Sequence, residues 1–456
     1  MNRKLNILLS FVLIFSFVLA SCAAPAAPTE APVEPAPAEP TAAPMEPTKA
    51  PEPTAAPAEK VTVTWWHIQV ADDQKAFWQD LTDKYMADHP NVNVEISVLE
   101  NEAFKTKLTT VMQSGNPPDI FQSWGGGGLN EYAAAGLLKD ITADLEKDGW
   151  KDTFAPGALG VFSYDGKFYG VPRDMGMVSF WYNKELFTKA GIEKTPATWT
   201  EFLDVVKKLK AAGIVPITLG AGDKWPAAFW WEYLAVRLGG KPAFDAAYTH
   251  TGAFTDAPFV EAGVKLKELI DMDAFQPGFL AATWPDTQVV MANGEAAMML
   301  MGQWAPGSIQ DASVDKKGLG DKLGMFTFPM VEGGAGGATD ALGGGNGFTV
   351  GKDAEPEAVD FLKYISSVES QTAQAKMVGF TVPVVKGAEA GMSDPNLIAV
   401  QKGFADAAYF QLYYDQAMPA TVGSVINDSV QGLFAGTLTP EQVAQAIEDS
   451  AKAEIK

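Results

Sequence analysis

The stretch 165–184 constrains this chain more than any other. Asp165-Gly166 opens it with a turn signal, and Gly170 and Pro172 interrupt the apolar residues that follow. A strand-like alternation through Val178, Phe180 and Tyr182 comes next, and a helix pattern begins near Glu185. Mixed helix and strand patterns lie on either side. Two readings fit the stretch alone: a hairpin inside one domain, or a joint where the chain leaves one lobe and enters another. A length of 456 residues exceeds one comfortable core, so two lobes are the default expectation.

Charge and residue counts exclude several functions. A formal charge of -22 argues against a nucleic-acid partner, because phosphate binding requires clustered Lys and Arg. One cysteine allows no intramolecular disulfide and no thiolate metal cage. The three histidines, His67, His89 and His250, lack H-x-x-x-H spacing, which argues against a zinc enzyme; no metal site and no cofactor are expected.

The N-terminal region explains the cysteine. Asn2-Arg3-Lys4 gives a positive start, and the mostly apolar run Ile7 to Ala20 is short for a membrane span. It ends in Leu19-Ala20-Ser21-Cys22, which looks like a bacterial lipobox: residues 1–22 are expected to be a signal peptide and Cys22 the lipidated mature N-terminus. The protein would then be held by its lipid to the outer face of the bacterial cell membrane, in the periplasm if a second membrane is present. Residues 23–59 are nearly all Ala, Pro, Glu and Thr, a composition that builds no core and predicts an extended tether. At about 3.1 Å per residue its reach is on the order of 100 Å.

From Val61 the pattern becomes globular. Residues 61–67 alternate as a first strand, a helix follows from about Asp73 to Met86, and residues 91–98 read as a second strand. Residues 104–113 are helical, and Gly115-Asn116-Pro117-Pro118 stops that helix before a third strand at 119–121. This alternation implies a mainly parallel α/β sheet with ligands at the carboxyl ends of its strands. The loops 67–72, 99–102 and 122–128 are therefore candidates.

A set of blocks then becomes specific. Trp65-Trp66, Pro117-Pro118-Asp119-Ile120-Phe121, Trp124-Gly125-Gly126-Gly127 and Ala135-Gly136-Leu137-Leu138-Lys139-Asp140-Ile141 resemble the extracellular solute-binding proteins of sugar ABC transporters. The resemblance continues through Tyr169-Gly170-Val171-Pro172, Tyr182-Asn183-Lys184, Thr195-Pro196-Ala197-Thr198-Trp199, Asn293-Gly294-Glu295-Ala296-Ala297-Met298, Gly302-Gln303-Trp304-Ala305 and residues 434–441. The Trp-Gly block and Tyr413-Tyr414-Asp415-Gln416 look most like the branch that binds xylobiose, raffinose-type and related short oligosaccharides. The resemblance implies a two-lobe periplasmic-binding-protein fold of the maltose-binding type, α/β in class, with a multi-strand hinge. By position, residues 61–173 and 345–405 would form lobe 1, and 175–342 and 408–456 lobe 2. Crossings would lie near Pro172 and Arg173, at Gly343, Gly344 and Gly345, and near 405–408; the glycines could absorb large backbone rotations. The glycine cluster lacks the Gly-Lys-Ser/Thr ending of a phosphate-binding P-loop.

A neutral sugar presents flat C–H faces and hydroxyls at every edge, so its site needs aromatic planes flanked by directional polar groups. In maltose-type relatives the Trp matching Trp304 stacks on a sugar ring, which makes Trp304 the leading candidate, with Trp225 next. Trp124 and Trp284, the latter in Trp284-Pro285-Asp286, are further candidates. Polar candidates are Asp223 beside Trp225, His67 and Gln69 after the first strand, Glu102 after the second and Ser123 after the third. Asp174, Asn346 and Asp415 lie at or beyond the crossings. Trp65, Trp181, Trp199, Trp230 and Trp231 read as structural. The expectation is a non-catalytic, monomeric receptor that takes a short neutral oligosaccharide, xylobiose or a xylo-oligosaccharide first, and delivers it to an ABC permease. The alternatives are the same fold with another sugar (raffinose, another α-galactoside, a maltose-type ligand) or a non-sugar solute, and a secreted glycoside hydrolase. A hydrolase needs two carboxyls at a defined separation, and no such pair stands out.

Overall fold

The computed structural model describes residues 60–377 and 382–455; Cys22 and the 23–59 segment lie outside the described residues. Strand β1 (Val61–His67) turns Val63, Trp65 and His67 inward by its two-residue period. It pairs in parallel with β2 (Val92–Val98) on one side and β3 (Ile120–Ser123) on the other. Parallel neighbours need a crossover, supplied here by the helices Asp72–Asp88 and Asn101–Gln113. Trp65 anchors this core: Trp78 meets it edge-on at 5.0 Å, and Phe348 and Phe361 each lie 5.3 Å away.

Strands β4 (Ser163–Tyr164) and β5 (Lys167–Phe168) form a small hairpin. Its loop residues Asp165 and Gly166 both have positive φ, 49° and 73°, as a two-residue hairpin turn matched to strand twist requires. The chain then runs through β6 (Gly170–Met177) into β7 (Ser179–Asn183), so the stretch that opens with a hairpin also leads into a different sheet. With β8 (Val215–Ile217), β9 (Ala296–Met301) and β10 (Leu323–Phe326) the second sheet has the order β10-β7-β9-β8. It departs from the expected parallel pattern. β7 is antiparallel to both neighbours and only β8–β9 is parallel, because β7 enters directly from β6 without a crossover helix.

β11 (Ala341–Val350) pairs antiparallel with β3 and with β6, and β12 (Phe410–Leu412) adds in parallel to its start. Two of these strands pass from one core to another. On β6, Met175 packs in the core built around Trp65 while Met177 packs in that of the second sheet; on β11, Phe348 and Leu342 divide the same way. The second core is rich in aromatics, with Trp181, Trp199, Trp230 and Trp231 all 1% exposed or less. The helices Ala420–Phe434 and Pro440–Glu454 close it through Val422, Ile426, Val443 and Ile447. Leu397 and Val400, on the helix Pro395–Ala405, also pack into this second core. The result is the two-lobed α/β fold of the maltose-binding type.

Gly343, Gly344 and Gly345 lie inside regular strand, and none has a positive φ. Their role is close approach, not freedom of rotation: an added Cβ would stand 2.1 Å from the Gly176 carbonyl oxygen at Gly343 and 2.2 Å from that of Asp174 at Gly345.

Candidate ligand-binding cleft

A cleft of about 1050 Å³ opens where β6 and β11 join the lobes. Its first-lobe wall comes from residues 68–74, Glu100, Asn101, Lys105 and Trp124. The second lobe contributes Trp225, Phe229, Trp284 and Trp304 among others, and the strands between contribute Arg173, Gly345 and Asn346.

Local sequence sets each aromatic. Trp124 follows β3 and precedes the helix Gly126–Ala134, whose glycines let the backbone of residues 416–418 lie against it. A Cβ at Gly126 would stand 2.2 Å from the Gln416 carbonyl oxygen, and one at Gly127 2.0 Å from that of Met418. The Trp-Gly block is therefore a docking surface that brings Tyr413, Asp415 and Gln416 to the cleft. Trp225 starts the helix Trp225–Tyr248 after Lys224, a residue at φ 67°. Trp284 starts the helix Trp284–Ala292 behind a Thr283–Asp286 capping box. Trp304 caps the helix Ala305–Ala312, and its ring covers Gly302, where a Cβ would be 2.2 Å from ring carbon Cζ3. Trp225 lies between the other two, with ring centroids 6.2 Å from both Trp284 and Trp304. Opposite, Trp124 packs edge-on to Phe104 at 6.0 Å. Lys105 spans the gap: its Nζ is 5.6 Å from the Trp124 ring, 6.0 Å from that of Trp225, and ion-paired to Glu102 at 2.9 Å.

The polar lining is short of protein partners. Among the described residues, Gln69 Oε1, Trp225 Nε1, Tyr413 Oη, Gln416 Oε1 and Asn427 Oδ1 are buried without a protein hydrogen-bond partner, and all five residues line the cleft. Asp415 accepts a hydrogen bond from Asn427 Nδ2 at 3.1 Å. Burial raises its pKa, while Lys105 opposes the shift.

Of the residues nominated from sequence, Trp304, Trp225, Trp124, Trp284, Gln69, Asn346 and Asp415 line this cleft. The others sit elsewhere. His67 is fully buried beside Trp65, ring centroids 4.8 Å apart, and burial with the nearby Arg173 charge lowers its pKa to about 3. Ser123 is buried, with its hydroxyl accepting from the Gly125 amide. Asp223 accepts from the Trp284 amide at 2.6 Å and so fixes one cleft loop to another; burial raises its pKa. Glu102 is not among the residues lining the cleft and pairs with Lys105, which is. Asp174 is 2% exposed and bonded into the crossing strands. Missed from sequence were Phe229 and Tyr413, which stack at 4.6 Å, together with Lys105, Gln416 and Asn427. Tyr413 and Gln416 lie in the same Tyr413-Tyr414-Asp415-Gln416 block that marks Asp415.

The profile of the bacterial extracellular solute-binding proteins matches residues 69–372. An ABC transporter extracellular-binding protein of Pyrococcus horikoshii is 27% identical over 368 residues, 78% of each chain. Among solved structures, one from a study of xylan utilization by Caldanaerobius polysaccharolyticus superposes with a TM-score of 0.79 at 29% identity, covering 85% of this chain and 99% of that one. A chitin oligosaccharide binding protein gives the same TM-score and identity, covering 87% and 99%.

Proposed function

The chain belongs to the bacterial extracellular solute-binding proteins, and we propose that its ligand is a short neutral oligosaccharide, with xylobiose or another xylo-oligosaccharide the first to try. It is a sugar-binding member of the ABC-transporter solute-binding proteins and not an enzyme.

One observation carries the finer reading. Three tryptophans converge on one wall opposite a fourth, and residues lining the same cleft carry buried polar atoms that lack protein partners. Aromatic planes suit the C–H faces of pyranose rings, and the orphaned acceptors and donors would be paired by ring hydroxyls, which both give and accept. That one similar structure comes from a study of xylan utilization supports trying xylo-oligosaccharides first. The chitin-oligosaccharide binder is equally similar, so N-acetylated oligosaccharides belong in the same test, with raffinose-type and maltose-type sugars.

In this reading the sugar binds one wall of the open form, and closure over β6 and β11 buries it. Closure requires that the sugar bind the closed form more tightly than the open one. The permease then receives sugar from the closed form. Lipidation at Cys22 would hold the receptor near that permease on the tether of residues 23–59, and Cys22→Ser should release it from membranes with affinity unchanged.

A thermal-shift screen over these sugars tests the ligand, and incubation with xylobiose tests the chemistry. A shift with at least one neutral oligosaccharide and no release of xylose is expected. No shift with any sugar, or turnover of xylobiose, would overturn the reading.

A further inference from the structure

Asp174 is a carboxylate in the middle of a strand, nearly inaccessible, and outside the cleft wall. A buried charge is costly unless it is paired and hydrogen-bonded. Here it is both. Oδ2 pairs with the Arg173 guanidinium. Oδ1 accepts from the Asn346 amide at 3.1 Å, from Asn346 Nδ2 at 2.9 Å and from Gln303 Nε2 at 3.1 Å. Asn346 Oδ1 accepts in turn from Gln122 Nε2 at 2.9 Å. The chain of bonds thus runs from Gln122 on β3 of the first sheet, through β11 and β6, to Gln303 just past β9 of the second.

Gln303 precedes Trp304. The strand opposite is cut away to admit its side chain: a Cβ at Gly176 would stand 2.6 Å from Gln303 Cδ and 2.7 Å from its Oε1. The Trp304 ring is held from the other side by the bare backbone of Gly302. Arg173 and Asn346 themselves face the cleft, so a ligand touching either is one bond from Asp174.

We propose that Asp174 and Gln303 are positioning residues for the ligand, the Gln122–Asn346–Asp174–Gln303 chain holding the Trp304 ring in fixed relation to the strands that join the lobes. This rests on the reading of the cleft as a sugar site. Its consequence is that the stacking plane and the hinge are set together: loosening Gln303 loosens Trp304.

A double-mutant cycle on the full chain tests this, using whichever oligosaccharide the wild type binds. Gln303→Met keeps size and removes the bond to Asp174; affinity should fall about 10- to 140-fold, the scale of a hydrogen bond to a charged group. In the Trp304→Ala background the same change should cost less than about twofold, because the ring it positions is gone. Gly176→Ala displaces Gln303 without changing its chemistry and should reproduce the loss. Equal losses in both backgrounds, or a lower melting temperature at unchanged affinity, would overturn the proposal. A ligand-free measurement separates its failure from that of the sugar reading. With 5-fluorotryptophan incorporated, Gln303→Met should shift and broaden the Trp304 fluorine resonance, assigned through Trp304→Phe, and leave that of Trp78 in place. A Trp304 resonance that does not move would refute the positioning role whatever the ligand is.

Discussion

The rings of Trp225 and Trp304 meet edge to face at 6.2 Å, although the two residues begin different helices. That contact makes one continuous aromatic wall from separate parts of the chain. If Trp304 supplies a stacking plane, Trp304→Ala should weaken sugar binding by roughly 1–3 kcal/mol on the scale of apolar burial. That is about 5- to 150-fold in dissociation constant. Trp304→Phe should recover part of it. Because Trp304 is only partly buried, the ligand-free melting temperature should change little. Strong destabilisation with near-normal affinity would make Trp304 a packing residue.

Gly344 gives a second test. A Cβ there would stand 2.6 Å from the Tyr413 ring and 2.7 Å from Gln416 Oε1, both on the cleft wall. Gly344→Val should therefore act by pushing Tyr413 toward the ligand space, with the fold retained, and should reduce both affinity and the ligand-induced contraction seen by small-angle scattering. Contraction and affinity equal to wild type would show that the wall has room to spare.

His67 predicts a pH dependence of stability. Its folded pKa is about 3 against the ordinary histidine value of 6.5, so the unfolded chain binds a proton that the folded chain refuses. The sign follows: above pH 6.5 the residue has no effect, and stability is lost as pH falls from 6.5 toward 3. At about 1.4 kcal/mol per unit the full loss is on the order of 4–5 kcal/mol. Denaturant melts across this range should show a shallower acid decline for His67→Phe than for wild type. Parallel declines would mean that His67 is protonated in the fold.

How far the site was legible follows from these residues. Trp304 and Trp225 were legible through the resemblance, which implies stacking aromatics at those positions, and Trp284 through the Trp284-Pro285-Asp286 block, although Trp284 also packs into the second core. The Asp165-Gly166 turn was legible because its backbone demands it. His67 could have been placed correctly, since it shares the strand period with Val63 and Trp65 and so must point inward. Asp174 could not. The partners that turn it from a ligand candidate into a structural node are 129 and 172 residues away, and no local pattern announces them. Phe229, Lys105 and Asn427 project from helix faces whose direction is set only by packing. The glycines at 343–345 were noticed, but their cause is the backbone of β6 lying against them, which appears only once the strands are paired.

The central claim is that the tryptophan-lined cleft holds a short neutral oligosaccharide. Isothermal titration of the purified protein with xylobiose, xylotriose, chitobiose, raffinose and maltotriose, repeated on Trp225→Ala and Trp304→Ala, tests it most directly. The account predicts saturable one-to-one binding of at least one of these sugars by the wild type, and clear weakening in both variants at unchanged ligand-free melting temperature. Folded wild-type protein that binds none of them, or binding that survives in both variants, would contradict it.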